Sequence, residues 1–176
     1  METLVVNLFG TPSAGKSRGM AYIFSQLKIE GINAEFVTEF AKEKVWENNE
    51  EVFKNQAYIF GKQYFRTSRL LGKVDVIVTD SPLLLSSFYN KSDILGETFN
   101  KTVLNVFNSL KSLNFLLIRD GVYNPKGRFQ TEEESNALVK PMIEMLDNNK
   151  IPYETFLGKQ EDYDKIVGIV IDYLGA

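Results

Sequence analysis

Eight residues near the start of the chain constrain its fold more than any other feature. Gly10-Thr11-Pro12-Ser13-Ala14-Gly15-Lys16-Ser17 fits the pattern G-x-x-x-x-G-K-[ST] throughout. The apolar run Leu4–Phe9 before it reads as a strand, and Lys16 to about Ile29 reads as a helix stopped by Gly31. Strand, glycine-bounded loop and helix in that order make a cradle for phosphate. The glycines let the main chain wrap closely enough for successive N–H groups to point at phosphate oxygens. The first turn of the helix adds its partial positive charge. Lys16 is then expected to reach the β- and γ-phosphates of ATP, and the Ser17 hydroxyl to ligate Mg2+. Gly10, Thr11, Pro12, Ser13, Ala14, Gly15 and Arg18 complete the expected nucleotide contacts.

Beyond the loop, short apolar runs alternate with longer amphipathic stretches, the pattern of a parallel sheet with crossover helices. A second strand is expected at Ala34–Thr38, and helices at Phe40–Trp46 and from about Glu51 to Leu71. In the longer helix Phe53, Ala57, Phe60 and Tyr64 fall at helical spacing and predict the buried face. Val74–Thr79, β-branched nearly throughout, predicts a fully buried strand. A helix around Glu97–Lys111 and a strand at Leu113–Ile118 follow. Thr131 to Glu134 has capping-box spacing and should start another helix, which Pro141 should kink or divide. A last strand at Pro152–Leu157 and a last helix at Glu161–Leu174, with Ile166, Ile169, Val170 and Tyr173 inward, complete a doubly wound α/β domain of five parallel strands. The 176 residues suit one such domain.

Composition excludes whole classes of chemistry. The chain has no cysteine and no histidine. Disulfides, Cys/His zinc sites and His-dependent triads are therefore impossible. Chemistry must run on Lys, Arg, carboxylates, hydroxyls and a bound metal. The net charge of -3 lacks the basic surplus of a protein that holds duplex nucleic acid through its phosphates. No apolar run is long enough to span a bilayer, and the N-terminus lacks a signal-peptide pattern. The expected setting is the cytoplasm.

Two carboxylates stand where strands should end. Asp80 follows the most hydrophobic strand, where an acid orients Mg2+ in nucleotide-binding sites of this kind. It also suits the N-cap of a helix begun by Pro82, and both roles can coexist. Glu39 follows the second strand and should face the ligand crevice at the carboxyl edge of the sheet. A carboxylate there suits an acceptor hydroxyl that must lose its proton; otherwise it complements a helix dipole. Phe40, beside it, is a further candidate acceptor contact. Gln56 and Gln63, with Phe60 between them, offer a base-recognition surface or a partly solvated helix side. Arg66 and Arg69 are either acceptor-phosphate ligands or surface charges. The polar stretch of about residues 119–130 reads as a lid in which Arg119, Lys126 and Arg128 close on the phosphates.

The motifs GTPSAGKS, VTEFAKE, VTDSPLL and GRFQTEEES, in this order, resemble a family of small phage-encoded P-loop proteins described as ATPases or nucleotide kinases. That family is related to the ribosylnicotinamide-kinase domain and, more distantly, to deoxynucleoside kinases. The resemblance implies a three-layer P-loop kinase-like fold over Leu4 to about Leu146. It implies nucleotide and metal roles for Lys16 and Ser17, a base role for Glu39, the third-strand acid at Asp80 and a lid arginine at Arg128. Deoxynucleoside kinases carry Arg directly after the third-strand acid, where this chain has Ser81-Pro82. The expected activity is transfer of the γ-phosphoryl group of ATP to a nucleoside or nucleotide acceptor, with a homodimer as the further partner expectation and the host cytoplasm as the setting if the protein is phage-encoded. The alternatives are phosphorylation of 5-hydroxymethyluracil within DNA, and nucleotide hydrolysis that drives a conformational switch.

Overall fold

The computed structural model describes residues 2–126 and 130–175. Among these, five strands form one parallel sheet: β1 (Leu4–Phe9), β2 (Ala34–Val37), β3 (Val76–Thr79), β4 (Ser112–Ile118) and β5 (Glu154–Leu157), in spatial order β2-β3-β1-β4-β5. The register is continuous, with Val6 opposite Val78 on one side and Leu113 on the other. Strand residues alternate between faces, so the central strands serve two cores, while the edge strand β5 adds only Phe156 to one of them. Leu4, Val6 and Leu8 of β1 pack with Val78, Phe115 and Leu117 against α1 (Lys16–Ile29) and α8 (Gln160–Leu174). Phe9 and Leu116 point the other way, onto α5 (Gly96–Asn108) and α7 (Val139–Asn148) through Val103, Phe107, Met142 and Leu146. Burial of strands on both faces explains why β1 and β3 read as continuous apolar runs. The doubly wound parallel α/β expectation holds.

The structure differs from the sequence reading in four places. The helix expected over Glu51–Leu71 is a 3-10 turn (Glu50–Lys54) followed by α3 (Gln56–Ser68). Asn55 divides them: its side chain accepts the N–H of Tyr58 at 3.1 Å and caps α3 afresh. The buried face of α3 is Gln56, Ile59, Gln63 and Thr67, not the aromatic series; Tyr64 is exposed. No helix begins at Pro82, and the next one, α4 (Leu85–Phe88), starts three residues later. Tyr173 lies outward on α8, 46% exposed.

Thr131 caps α6 (Glu132–Ala137) in a full capping box, accepting from the N–H of Glu134 while its own N–H donates to the Glu134 carboxylate at 2.7 Å. The helical stretch divides at Leu138, so Pro141 falls in the first turn of α7, where its missing N–H removes no helical bond. The second helix, α2, runs Phe40–Trp46. Among the described residues no helix is long and apolar enough to cross a membrane.

Candidate active site

Parallel strands bring the ends of β1 to β5 to one edge, and the loops after them enclose a cavity of about 540 Å³. At its floor lies the phosphate loop. Gly15 sits at φ 89 and is the N-cap of α1, a conformation that favours glycine. A Cβ on Gly10 would stand 2.6 Å from the Leu117 carbonyl, so the loop's entry has no room for a side chain. The Lys16 ammonium donates to the carbonyls of Gly10 at 2.8 Å and Thr11 at 3.1 Å, which holds it over the loop. Thr11 itself is buried and does not line the cavity.

The β5–α8 turn braces this loop from behind. The Tyr163 hydroxyl donates to the Gly15 carbonyl at 2.9 Å, and the Arg18 guanidinium donates to the Gly158 carbonyl while lying 5.6 Å from the centre of the Tyr163 ring. From the other side, Ser13 accepts the N–H of Asn124 at 3.0 Å, and Ser135 of α6 donates to the Pro12 carbonyl at 2.8 Å.

Asp80 is buried at the end of β3, the neighbour of β1. One carboxylate oxygen accepts the Ser17 hydroxyl at 2.6 Å, and the other accepts the main-chain N–H of Glu39 at 3.1 Å. Asp80 therefore ties the phosphate loop to the turn after β2, and it caps no helix. A hydroxyl and a carboxylate converging beside a phosphate cradle fit Mg2+, which takes one or two protein oxygens and completes its shell with water and phosphate. Among the described residues no group of three or more acidic side chains forms an all-protein cage.

The other end of the cavity is built by α2, the 3-10 turn, α3 and α4. Ala41, Val45, Phe53, Ile59 and Leu85 give it apolar walls, and Glu39, Lys42, Gln56, Tyr89 and Lys91 give it polar groups. Glu39 is the N-cap residue of α2 and faces this space. Burial pushes the Tyr89 phenol well above its ordinary range, and the neighbouring Glu39 charge adds to the effect. It stays protonated, a hydrogen-bond donor on the cavity wall.

Several expected site residues do other work. Gln63 lines the cavity, but both ends of its amide are bound to main chain: Oε1 accepts from Phe40 N–H at 3.0 Å and Nε2 donates to the Thr38 carbonyl at 3.2 Å. It holds the turn before α2 rather than reading a base. Phe60 lies off the cavity, stacked on Tyr64 at 5.9 Å and edge-on to Phe99. Phe40 is buried beneath Tyr58, Lys44 and Arg66 and does not line the cavity. Arg66 pairs with Glu43 at 2.7 Å, which makes it an α2 anchor rather than an acceptor-phosphate ligand. Arg119 is also outside the cavity, bound to Asn136 and to Glu132 at 3.4 Å. Arg128 lies outside the described residues. Gln56 does line the cavity, its Nε2 donating to the Phe53 carbonyl at 3.0 Å.

Lys42, Tyr89 and Lys91 were not singled out from sequence. Lys42 was findable, because it stands three residues after Glu39 at the start of an expected helix. Tyr89 follows a four-residue helix that has no sequence signal.

Strand order, loop and third-strand carboxylate together define a P-loop fold of the nucleoside-kinase type. Among solved structures the chain is similar to a deoxyadenosine kinase from M. mycoides with bound dATP. The TM-score is 0.59 at 19% identity, over 98% of this chain and 100% of that one. It is equally similar to that kinase with the products dCMP and dCDP, with TM-score 0.60 at 19% identity over 97% and 98%. At this identity the likeness establishes the fold. No family model and no curated protein matches the chain.

Proposed function

We propose that the protein is an ATP-dependent phosphotransferase that moves the γ-phosphoryl group to a hydroxyl of a nucleoside or nucleotide acceptor. The observation that carries this reading is the pair of hydrogen bonds made by Asp80, which joins Ser17 on the phosphate loop to the Glu39 turn on the acceptor side. Donor and acceptor ends of one cavity are thereby held in fixed relation, which is what in-line transfer requires.

In this reading the main chain of Gly10–Ser17, Lys16 and the N-terminus of α1 hold the nucleotide phosphates. Ser17 and Asp80 hold Mg2+, which when bound neutralises charge on the phosphate oxygens. Glu39 accepts the proton of the attacking hydroxyl or anchors that hydroxyl, and the Tyr89 phenol donates to an acceptor oxygen. The apolar walls suit a flat base or similar ring. The same cavity favours an acceptor over a hydrolytic switch, because a switch needs no second, partly apolar compartment beyond the phosphates.

The test is transfer from γ-labelled ATP to a panel of nucleosides, nucleoside monophosphates, nicotinamide riboside and hydroxymethyluracil-containing DNA, with Glu39→Gln alongside. A labelled product is expected, and its rate should fall about 10²–10⁴-fold in the variant. ATP hydrolysis with no transfer to any acceptor would overturn the reading and leave the switch.

A further inference from the structure

We infer that Lys42 supplies a second positive charge to the phosphoryl group in flight, from the acceptor side of the cavity. The inference rests on the phosphotransferase reading and adds to it a catalytic cation outside both the phosphate loop and the lid.

The placement follows from how α2 begins. Three anchors hold its first turn: Asp80 on the Glu39 N–H, Gln63 on the Phe40 N–H and the Thr38 carbonyl, and Arg66 on Glu43. Lys42 is the third residue of this helix, one turn on from Glu39, and its side chain enters the same cavity. Its ammonium donates to the Ser17 hydroxyl at 3.4 Å, the hydroxyl that Asp80 also binds.

Lys42 is half-buried, yet among the described residues it makes no ion pair. Lys44, two residues on, pairs with Glu47 at 2.7 Å. The Asp80 oxygens accept from the Ser17 hydroxyl and the Glu39 N–H, and among the described residues neither is bonded to Lys42. A partly desolvated ammonium whose hydrogen bond among the described residues is one long hydroxyl contact is under-compensated. Its three donors suit an anion entering above Ser17.

Phosphoryl transfer supplies that anion. A lone pair on the acceptor oxygen forms the new bond to the γ-phosphorus as the bond to the β,γ-bridging oxygen breaks. That electron pair leaves on ADP, and the acceptor proton passes to Glu39. Charge spreads over the three equatorial oxygens during the transfer. Lys16 meets it from the loop side, and Lys42 meets it from the side where the acceptor enters. A charge fixed there before reaction needs no reorganisation during it.

The experiment compares wild type with Lys42→Met, Lys42→Gln and Lys42→Arg in two measurements: calorimetric binding of Mg-ADP with and without aluminium fluoride, and steady-state turnover of ATP. The expected result is a loss of about 100-fold in kcat for the Met and Gln variants with KM for ATP within about threefold. Affinity for ADP with aluminium fluoride should fall by a similar factor while ADP alone binds nearly as before. Lys42→Arg should recover at least about a tenth of the wild-type rate. The two neutral variants serve as checks on each other's folding, read as an unchanged melting temperature. Equal losses for ADP and for its fluoride complex, or a kcat within about threefold of wild type, would overturn the inference and leave the phosphotransferase reading standing. A wild-type protein that binds no ADP would overturn both.

Discussion

Replacing Gly158 by Ala should loosen the nucleotide site from behind, and the contact geometry sets the scale. A Cβ on Gly158 would lie 2.1 Å from the carbonyl oxygen of Ala14 and 3.0 Å from its carbon. Both atoms belong to the main chain of the phosphate loop, so no side-chain rotation relieves the clash. A carbon and an oxygen need roughly 3.2 Å or more, so the β5–α8 turn and the loop must part by about 1 Å. Overpacking of this kind costs about 1–3 kcal/mol, and in a chain of this size each kcal/mol lowers the melting temperature by about 2–4 °C. The separation also moves the N–H groups that would face phosphate and strains the Arg18 and Tyr163 contacts to the turn and loop. Nucleotide affinity should therefore fall at least about tenfold.

Two other glycines provide the control. Gly61 of α3 and Gly168 of α8 are exposed helical positions with no atom within 4 Å of a built Cβ. Alanine there should stabilise by about 0.5–1 kcal/mol and leave nucleotide binding unchanged. One substitution type thus has opposite signs at named sites, read by differential scanning fluorimetry and ADP titration. A Gly158→Ala protein that melts with wild type and binds ADP equally would refute the bracing of the loop by the β5–α8 turn.

Two further outcomes are expected. Gln63→Leu strips the partner from the Phe40 N–H and weakens the bonding of the Thr38 carbonyl; it should cost about 2–4 kcal/mol in a urea melt and lower kcat more than it raises KM for ATP, because the turn it holds carries Glu39. A variant with wild-type stability and kcat would contradict that role. The Asp162 carboxyl is held below the usual range by its ion pair with Lys165 at 2.7 Å and then by the Leu157 N–H at 2.7 Å. A lowered folded pKa stabilises above the unfolded value of about 3.9 and is lost as pH falls through the folded one. Melting temperatures of wild type and Asp162→Asn should therefore differ at pH 7, with the gap narrowing as the pH falls below about 3.9; a gap that stays constant in acid would show that the carboxylate charge is not the cause.

The donor half of the site was legible because its chemistry is local. Gly10 to Ser17 form one uninterrupted loop and the helix start that follows it, so spacing along the chain is spacing in space, and the apolar runs beside them give the strand and helix directly. The sheet was legible for the same reason: strands buried on both faces, such as Val76–Thr79, have no polar face to confuse the pattern. The capping box at Thr131 was equally readable, since both of its partners lie within four residues.

The acceptor half resists such reading because it is assembled from α2, the 3-10 turn, α3 and α4, each contributing a few side chains. Helical spacing put Gln56 and Gln63 on one face of α3, and they share it. Spacing does not say what lies across from that face. For Gln63 it is the main chain of Thr38 and Phe40, more than twenty residues earlier, and that backbone takes up the amide otherwise expected to read a base. Aromatic residues misled in the opposite direction. Phe60 is large and apolar, but the helix turns it toward Phe99 and away from the cavity. Lys42 lies between these cases. Its position relative to Glu39 is local and predictable, whereas its value depends on Ser17 from the start of α1 and Asp80 from the end of β3. A charged side chain becomes a candidate catalytic group when the fold gives it a cavity and denies it an ion-pair partner, and both conditions distinguish Lys42 from Lys44, which lies off the cavity and pairs with Glu47.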